Sequence, residues 1–364
     1  MDASPEARFI TLCTREPDVR PRQALRLAAG AVRDWDILVA TASRQGVAAY
    51  VRQATTGEGV VLPERAAGAL RSASLASILQ AMRLEAELTR VARALATAGV
   101  PAIVLKGPAL ARTIYPEPAL RPYTDIDLTV QDRHEAAAVS VMEAGGFAER
   151  SFRAQDWWHA HGNQLNEGAA FHRQFVSGDG QALVELHADP LQLGLKPTCE
   201  AARWKRAVTV PHLEGMLMLC PEDQLVQLSA HAHKHGFNRI IWLKDLDLLL
   251  RAYGDELNWP LVLDVARQEG VQASVWYALR LTAALLGAPV PDQVLALFRP
   301  TLPLRVLYRA VWPVASIANL DGRMRRRAVQ FDAAESWRGM LPGLVLMGRR
   351  GARVRSLLRA ALHH

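Results

Sequence analysis

Between Arg65 and Ala98 apolar residues recur mostly three and four apart, at Leu75, Ile78, Leu79, Met82, Leu88, Val91 and Leu95, and this spacing predicts a long amphipathic helix. The stretch from Trp35 to Val51 reads the same way, with a turn region over Gly57 to Pro63, so residues 1–95 form a predicted N-terminal helical region. The texture then changes. Ala102 to Leu105 is a short apolar run stopped by Gly107-Pro108, and Asp125-Ile-Asp-Leu-Thr-Val130 alternates polar and apolar positions; both read as strands. Helices are predicted over Ala109 to Tyr115 and over Arg133 to Ala144, the second ended by Gly145-Gly146. Phe171 to Val176 and Ala182 to His187 flank the turn-rich Ser177 to Gln181, the pattern of a β-hairpin. After about Pro211 the 3.6-residue period returns, with Leu225, Leu228 and Ala232 on one face and Leu243, Leu246 and Leu250 on the next. The expected organisation is therefore α+β: a core over 96–210 with a small sheet, a C-terminal helical region over 211–300, and a tail over 301–364, itself expected to be helical.

Alternation gives the core its candidate chemistry. Side chains two apart on a strand share a face, so Asp125 and Asp127 point one way while Ile126 and Leu128 point into the other layer. Two carboxylates so placed repel unless a hard cation or a basic group stands between them. A D-x-D pair alone is equally the mark of a hydrated edge strand. The same parity puts Glu185 and His187 on one face with Val184 and Leu186 on the other. His231 and His235 lie four apart on one helical face beside Lys234, with no third and fourth ligand at zinc spacing. Trp157, Trp158, His159 and His161 form another cluster, suited to stacking on a base or an acceptor and equally to aromatic packing.

Composition narrows the classes. Half of the 364 residues are hydrophobic and 22% are charged, as in globular proteins rather than disordered chains. Cys13, Cys199 and Cys220 stand far apart without a C-x-x-C pair, which excludes a disulfide framework and favours a reducing compartment. With no secretory signal pattern and no apolar run of membrane-spanning length, the expected location is the cytoplasm. The net charge of +7 is uneven, because residues 301–364 hold 12 Arg and 3 acidic residues, a net +9. Arg323, Arg325, Arg326, Arg327, Arg349, Arg350, Arg353 and Arg355 form two basic clusters there, open to an acidic partner or to plain solvation.

Val104-Leu-Lys-Gly-Pro108, Tyr115, Arg121-Pro-Tyr-Thr-Asp-Ile-Asp-Leu-Thr-Val130 and Val184-Glu-Leu-His187 together resemble an uncharacterised bacterial nucleotidyltransferase family of the polymerase-beta type. The resemblance extends to His231, Lys234, His235, Trp242 and Asp245, and covers about residues 30–290. It implies a polymerase-beta-like core with a small mixed sheet, flanked by helical regions. It also implies transfer of a nucleoside monophosphate from a triphosphate, with ATP the expected donor, to a hydroxyl or similar group of a small molecule or peptide, with release of pyrophosphate. Mg2+, or Mn2+ in its place, would sit on Asp125, Asp127 and Glu185, the three expected catalytic and metal-binding residues. Lys106, Gly107, Arg121, His187, His231, Lys234 and His235 are the expected substrate contacts. In this family's wider superfamily the first turn reads Gly-Ser or Gly-Gly. Here Pro108 follows Gly107 and offers neither a hydroxyl nor a backbone N–H, so Lys106 and Arg121 are expected to bind phosphate, with Gly107 permitting close backbone approach. Two other readings remain open: an inactive nucleotide- or partner-binding protein on the same fold, and a nucleotidyltransferase acting on nucleic acid.

Overall fold

The computed structural model describes residues 3–150, 172–192, 200–311 and 314–320. The Trp157 to His161 cluster and the arginines from Arg323 onward lie outside the described residues. Five helices lead, α1 (Pro5–Thr14), α2 (Arg22–Ala31), α3 (Trp35–Arg44), α4 (Ala48–Gly57) and the 34-residue α5 (Glu64–Thr97). The mixed region follows with β1 (Ala102–Val104), α6 (Lys106–Thr113), β2 (Ile126–Thr129), α7 (Glu135–Ala144), β3 (Phe147–Glu149), β4 (His172–Ser177), β5 (Leu183–His187), α8 (Glu200–Arg206), β6 (Val208–Thr209) and β7 (Met216–Met218). Helices then close the chain: α9 (Pro221–Lys234), α10 (Ile240–Tyr253), α11 (Trp259–Gln268), α12 (Gln272–Leu286), α13 (Asp292–Leu297), α14 (Leu302–Val311) and α15 (Val314–Ala318). The chain is α+β.

The strands form one mixed sheet in the order β3-β4-β5-β2-β1-β7-β6. Its centre pairs β2 with β5 in parallel and with β1 antiparallel, while β4 and β5 form the antiparallel hairpin expected from the turn-rich segment between them. One face carries Val104, Ile126, Leu128, Val184, Leu186 and Phe175 into a core completed by Leu84, Leu88, Val91 and Leu95 of α5. This is the half of the alternation that leaves Asp127, Glu185 and His187 on the opposite face. A second core joins the two ends of the chain, since Phe9, Ile10, Leu38 and Val51 of the N-terminal helices pack in one cluster with Leu225, Leu246 and Tyr277 of the C-terminal ones. Arg15 Nε and Gln45 Nε2 add hydrogen bonds across that junction, at 3.0 Å to the Leu285 carbonyl and 3.0 Å to the Asn238 carbonyl.

Two elements depart from the sequence reading. The periodic helix forms over Glu64–Thr97, but Leu75, Leu79 and Met82 face solvent at 60, 64 and 65% exposure. A helix this long outreaches the layer it packs on, so its apolar period continues where none of the described residues covers it. Met216–Met218 adds a parallel strand to β1, beyond the expected end of the core at residue 210; three residues are too few for a periodic signal.

Candidate functional site

Register brings the polar side chains together. Asp127 of β2 stands opposite Glu185 of β5, which stands opposite Gln174 of β4. Two residues along, Thr129, His187 and His172 make a second row across the same three strands. Neighbouring strands lie about 4.8 Å apart, so the two rows form one polar patch on the face away from the α5 core. His187 is its hub, with Nε2 at 3.0 Å from Asp127 Oδ1 and 3.4 Å from Glu185 Oε2. Both carboxylates thus touch a single ring nitrogen, and Glu185 lies on the same face of the sheet as Asp127.

Each carboxylate is held by its own partners. Asp127, only 3% exposed, receives Lys106 Nζ at 2.8 Å on Oδ2 and the Gln192 amide at 2.6 Å on Oδ1. Burial opposes the Asp127 charge, but Lys106 and His187 overcome it and hold the carboxyl well below its usual range. Glu185 accepts from Gln174 Nε2 at 2.7 Å and meets His172 Nε2 at 3.1 Å. Burial again opposes, and the hydrogen bonds from His172 and His187 win, bringing its carboxyl to about 2. Asp125 differs: burial first, then the Asp127 charge, push it up to about 6, with Lys106 and Arg121 pulling the other way. His187 is raised because its two carboxylate partners outweigh its burial.

The basic side of the site comes from α6 and α9. Lys106 opens α6 with φ of 50°, and Gln192, which accepts from Lys106 Nζ at 3.0 Å, has φ of 58°. Both residues therefore occupy left-handed backbone that side chains seldom adopt, a strain that tends to mark functional sites. Lys234 Nζ donates to the Gln192 carbonyl at 2.6 Å. His231 and His235 pack on Trp242 with ring centroids 4.9 and 5.1 Å away. Burial, Lys106 and His235 keep His231 neutral, well below its ordinary range, and burial with Lys234 and Lys106 brings His235 to about 4. Among the described residues, buried Nδ1 of His231, Oγ1 of Thr129 and Oε1 of Gln174 have no hydrogen-bond partner, and orphaned polar atoms beside a charged cluster are what a bound ligand would satisfy.

Arg121 and Gly107 take other roles than the phosphate contacts expected of them. The Arg121 guanidinium is buried and committed to Asp245, with Nε at 2.6 Å from Oδ1 and Nη2 at 2.8 Å from Oδ2, while Nη1 donates to the Pro122 carbonyl at 2.6 Å. Tyr115 donates to the same Asp245 oxygen at 2.6 Å. Arg121 therefore anchors the segment before β2 to α10. At Gly107 a Cβ would come 2.6 Å from Cβ of Tyr123, so that packing alone requires the glycine. Gln192 and His172 are the functional neighbours that sequence reasoning missed, since neither belongs to a motif of this chain.

The donor set suits a divalent cation, because three carboxylates close enough to perturb one another need positive charge among them, of which Lys106 and Arg121 supply only part, since Asp125 stays raised. Among known proteins, the model of a family described as an uncharacterised nucleotidyltransferase matches residues 31–287. No curated protein and no solved structure matches.

Proposed function

Because the chain belongs to the uncharacterised nucleotidyltransferase family and is thus a nucleotidyl-transferring enzyme, we propose that it moves a nucleoside monophosphate from a triphosphate, with ATP the donor of choice, to a hydroxyl or similar group of a small molecule or peptide. The single observation that carries this reading is the register of β2 and β5, which sets Glu185 opposite Asp127 with His187 touching both.

Asp125 and Asp127 hold Mg2+, or Mn2+, with Glu185 as the third carboxylate. When bound, the cation neutralises charge developing on the triphosphate and orients its oxygens. Lys106 then turns its ammonium from Asp127 to a phosphate oxygen, and Lys234 adds a second positive charge. His231 and His235, both neutral, line the nucleotide side. The acceptor oxygen forms a bond to the α-phosphorus as the bond to the bridging oxygen breaks. Pyrophosphate leaves with that electron pair, and the acceptor proton passes to water. Among the described residues no helix is long and apolar enough to cross a membrane, and the cytoplasm, with its supply of nucleotides, is the proposed location. The Arg-rich tail is the proposed contact for an acidic partner.

The test incubates the protein with each triphosphate, Mg2+ and a cell extract, and follows nucleotidylated products by mass spectrometry together with pyrophosphate. An adduct of nucleoside monophosphate mass that disappears with Asp127→Asn supports the reading. ADP with a phosphorylated acceptor would instead make this a kinase.

A further inference from the structure

The nitrogen-rich half of the site has a chemistry of its own. His172, Glu185 and His187 each offer one ligand atom, and the three atoms lie within 4.8 Å of one another. His172 Nε2 stands 3.1 Å from Glu185 Oε2, and His187 Nε2 stands 3.4 Å from the same oxygen. Metal–ligand bonds of about 2.1 Å meeting at between 90° and 109° place neighbouring donors roughly 3.0–3.4 Å apart, which is the spacing of each imidazole nitrogen from Glu185 Oε2. The two imidazoles lie stacked, 4.4 Å between centroids and 15° between planes, so each ring has to turn about its Cβ–Cγ bond to aim its in-plane Nε2 lone pair at a shared cation.

Hydrogen bonding alone serves this arrangement poorly. A ring nitrogen carries at most one proton, yet His187 Nε2 faces Asp127 Oδ1, Glu185 Oε2 and the Gln192 amide nitrogen at 3.0 Å together. A cation shared by His187 Nε2 and Glu185 Oε2 would engage both lone pairs at once, while the Gln192 amide keeps to Asp127 Oδ1. Gln174 meanwhile donates to Oε1 of Glu185 at 2.7 Å, which fixes the carboxylate and leaves Oε2 as the coordinating atom, the usual duty of a residue behind a metal ligand.

We propose that His172 Nε2, Glu185 Oε2 and His187 Nε2 form a binding site for a first-row transition cation of the Zn2+ class, beside the all-carboxylate Mg2+ position of Asp125 and Asp127. Imidazole donors suit such metals, whereas Mg2+ keeps to oxygen ligands. The inference deepens the reading above by giving the acceptor side of that site its own metal, but its test requires no turnover.

Co2+, a visible stand-in for Zn2+, is titrated into chelator-treated full-length protein and followed by its absorption bands. One equivalent should bind with the spectrum of imidazole ligation, and a large excess of Mg2+ should leave it in place. His172→Ala should weaken Co2+ binding at least tenfold while circular dichroism stays native, whereas Asp125→Asn should stay within about threefold of wild type. Pulsed EPR of Cu2+-loaded wild-type protein should count two coordinated imidazoles, a readout that holds even if His172→Ala fails to fold. Displacement of Co2+ by equimolar Mg2+, fewer than two coordinated imidazoles, or wild-type affinity in folded His172→Ala would overturn the site. Co2+ binding as described in a protein that forms no nucleotidylated product would sink the proposed function and leave the metal site standing.

Discussion

Replacing Arg121 with methionine removes the guanidinium that anchors the segment before β2 and leaves Asp245, fully buried, with only the Tyr115 hydroxyl on its carboxylate. Two charge-assisted hydrogen bonds to Asp245 are lost, each worth about 1.5–3 kcal/mol. The stranded charge adds a desolvation cost, which Asp245 limits by taking a proton, since burial already pushes its carboxyl upward against the pull of Arg121. Breaking one side of such a buried pair costs about 3–5 kcal/mol, a fifth or more of the roughly 5–15 kcal/mol that usually holds a folded domain. Urea unfolding should show Arg121→Met and Asp245→Asn both destabilised in that range. The double variant Arg121→Met/Asp245→Leu should fall well short of the sum of its singles, because it strands no charge. Nucleotide affinity, measured below the unfolding transition, should change little in folded Arg121→Met. A wild-type urea midpoint with affinity lost tenfold or more would refute this reasoning and return Arg121 to the phosphates.

Lys106→Ala should weaken nucleotide binding roughly ten- to hundredfold, as expected for one charge-assisted hydrogen bond, and calorimetry with a non-hydrolysable triphosphate checks it. Asp125→Asn and Asp127→Asn should lose Mg2+-dependent binding, whereas Glu185→Gln should bind the triphosphate and release pyrophosphate far more slowly. Gly107→Ala drives a methyl against Tyr123 and should cost about 1–3 kcal/mol in thermal or urea unfolding. Buried His233 is held at about 4, below the ordinary 6.5, by burial. The unfolded chain therefore binds more protons between these values, and stability falls as pH drops from 6.5 towards 4. His233→Gln should flatten that slope while keeping the bond to Ser274 Oγ, now 2.8 Å; an unchanged slope would count against the assignment.

What the chain discloses unaided is local. Alternation along Asp125 to Val130 and along Val184 to His187 was sufficient to place the acids on one face and Ile126, Leu128, Val184 and Leu186 on the other, because strand parity depends on nothing outside the strand. Partnership across the chain stayed hidden. Arg121 reads as a phosphate ligand until Asp245, 124 residues later, is seen to hold it. Gly107 resembles a phosphate turn until Tyr123 fills the space beside it. Gln192 sits in a loop with no periodic pattern, and its amide reaches Asp127 only through tertiary packing. The solvent-facing Leu75, Leu79 and Met82 show the limit of periodicity itself, which reports an apolar stripe without reporting what covers it.

The core shared by the first and last helices sets an order on biosynthesis. Phe9, Ile10, Leu38 and Val51 share one core with Leu225, Leu246 and Tyr277, so α1 to α4 leave the ribosome long before that core is complete. At roughly 5–20 residues per second, the nascent chain carries those apolar faces uncovered for tens of seconds, within reach of chaperones. That core closes only after Tyr277 has been made.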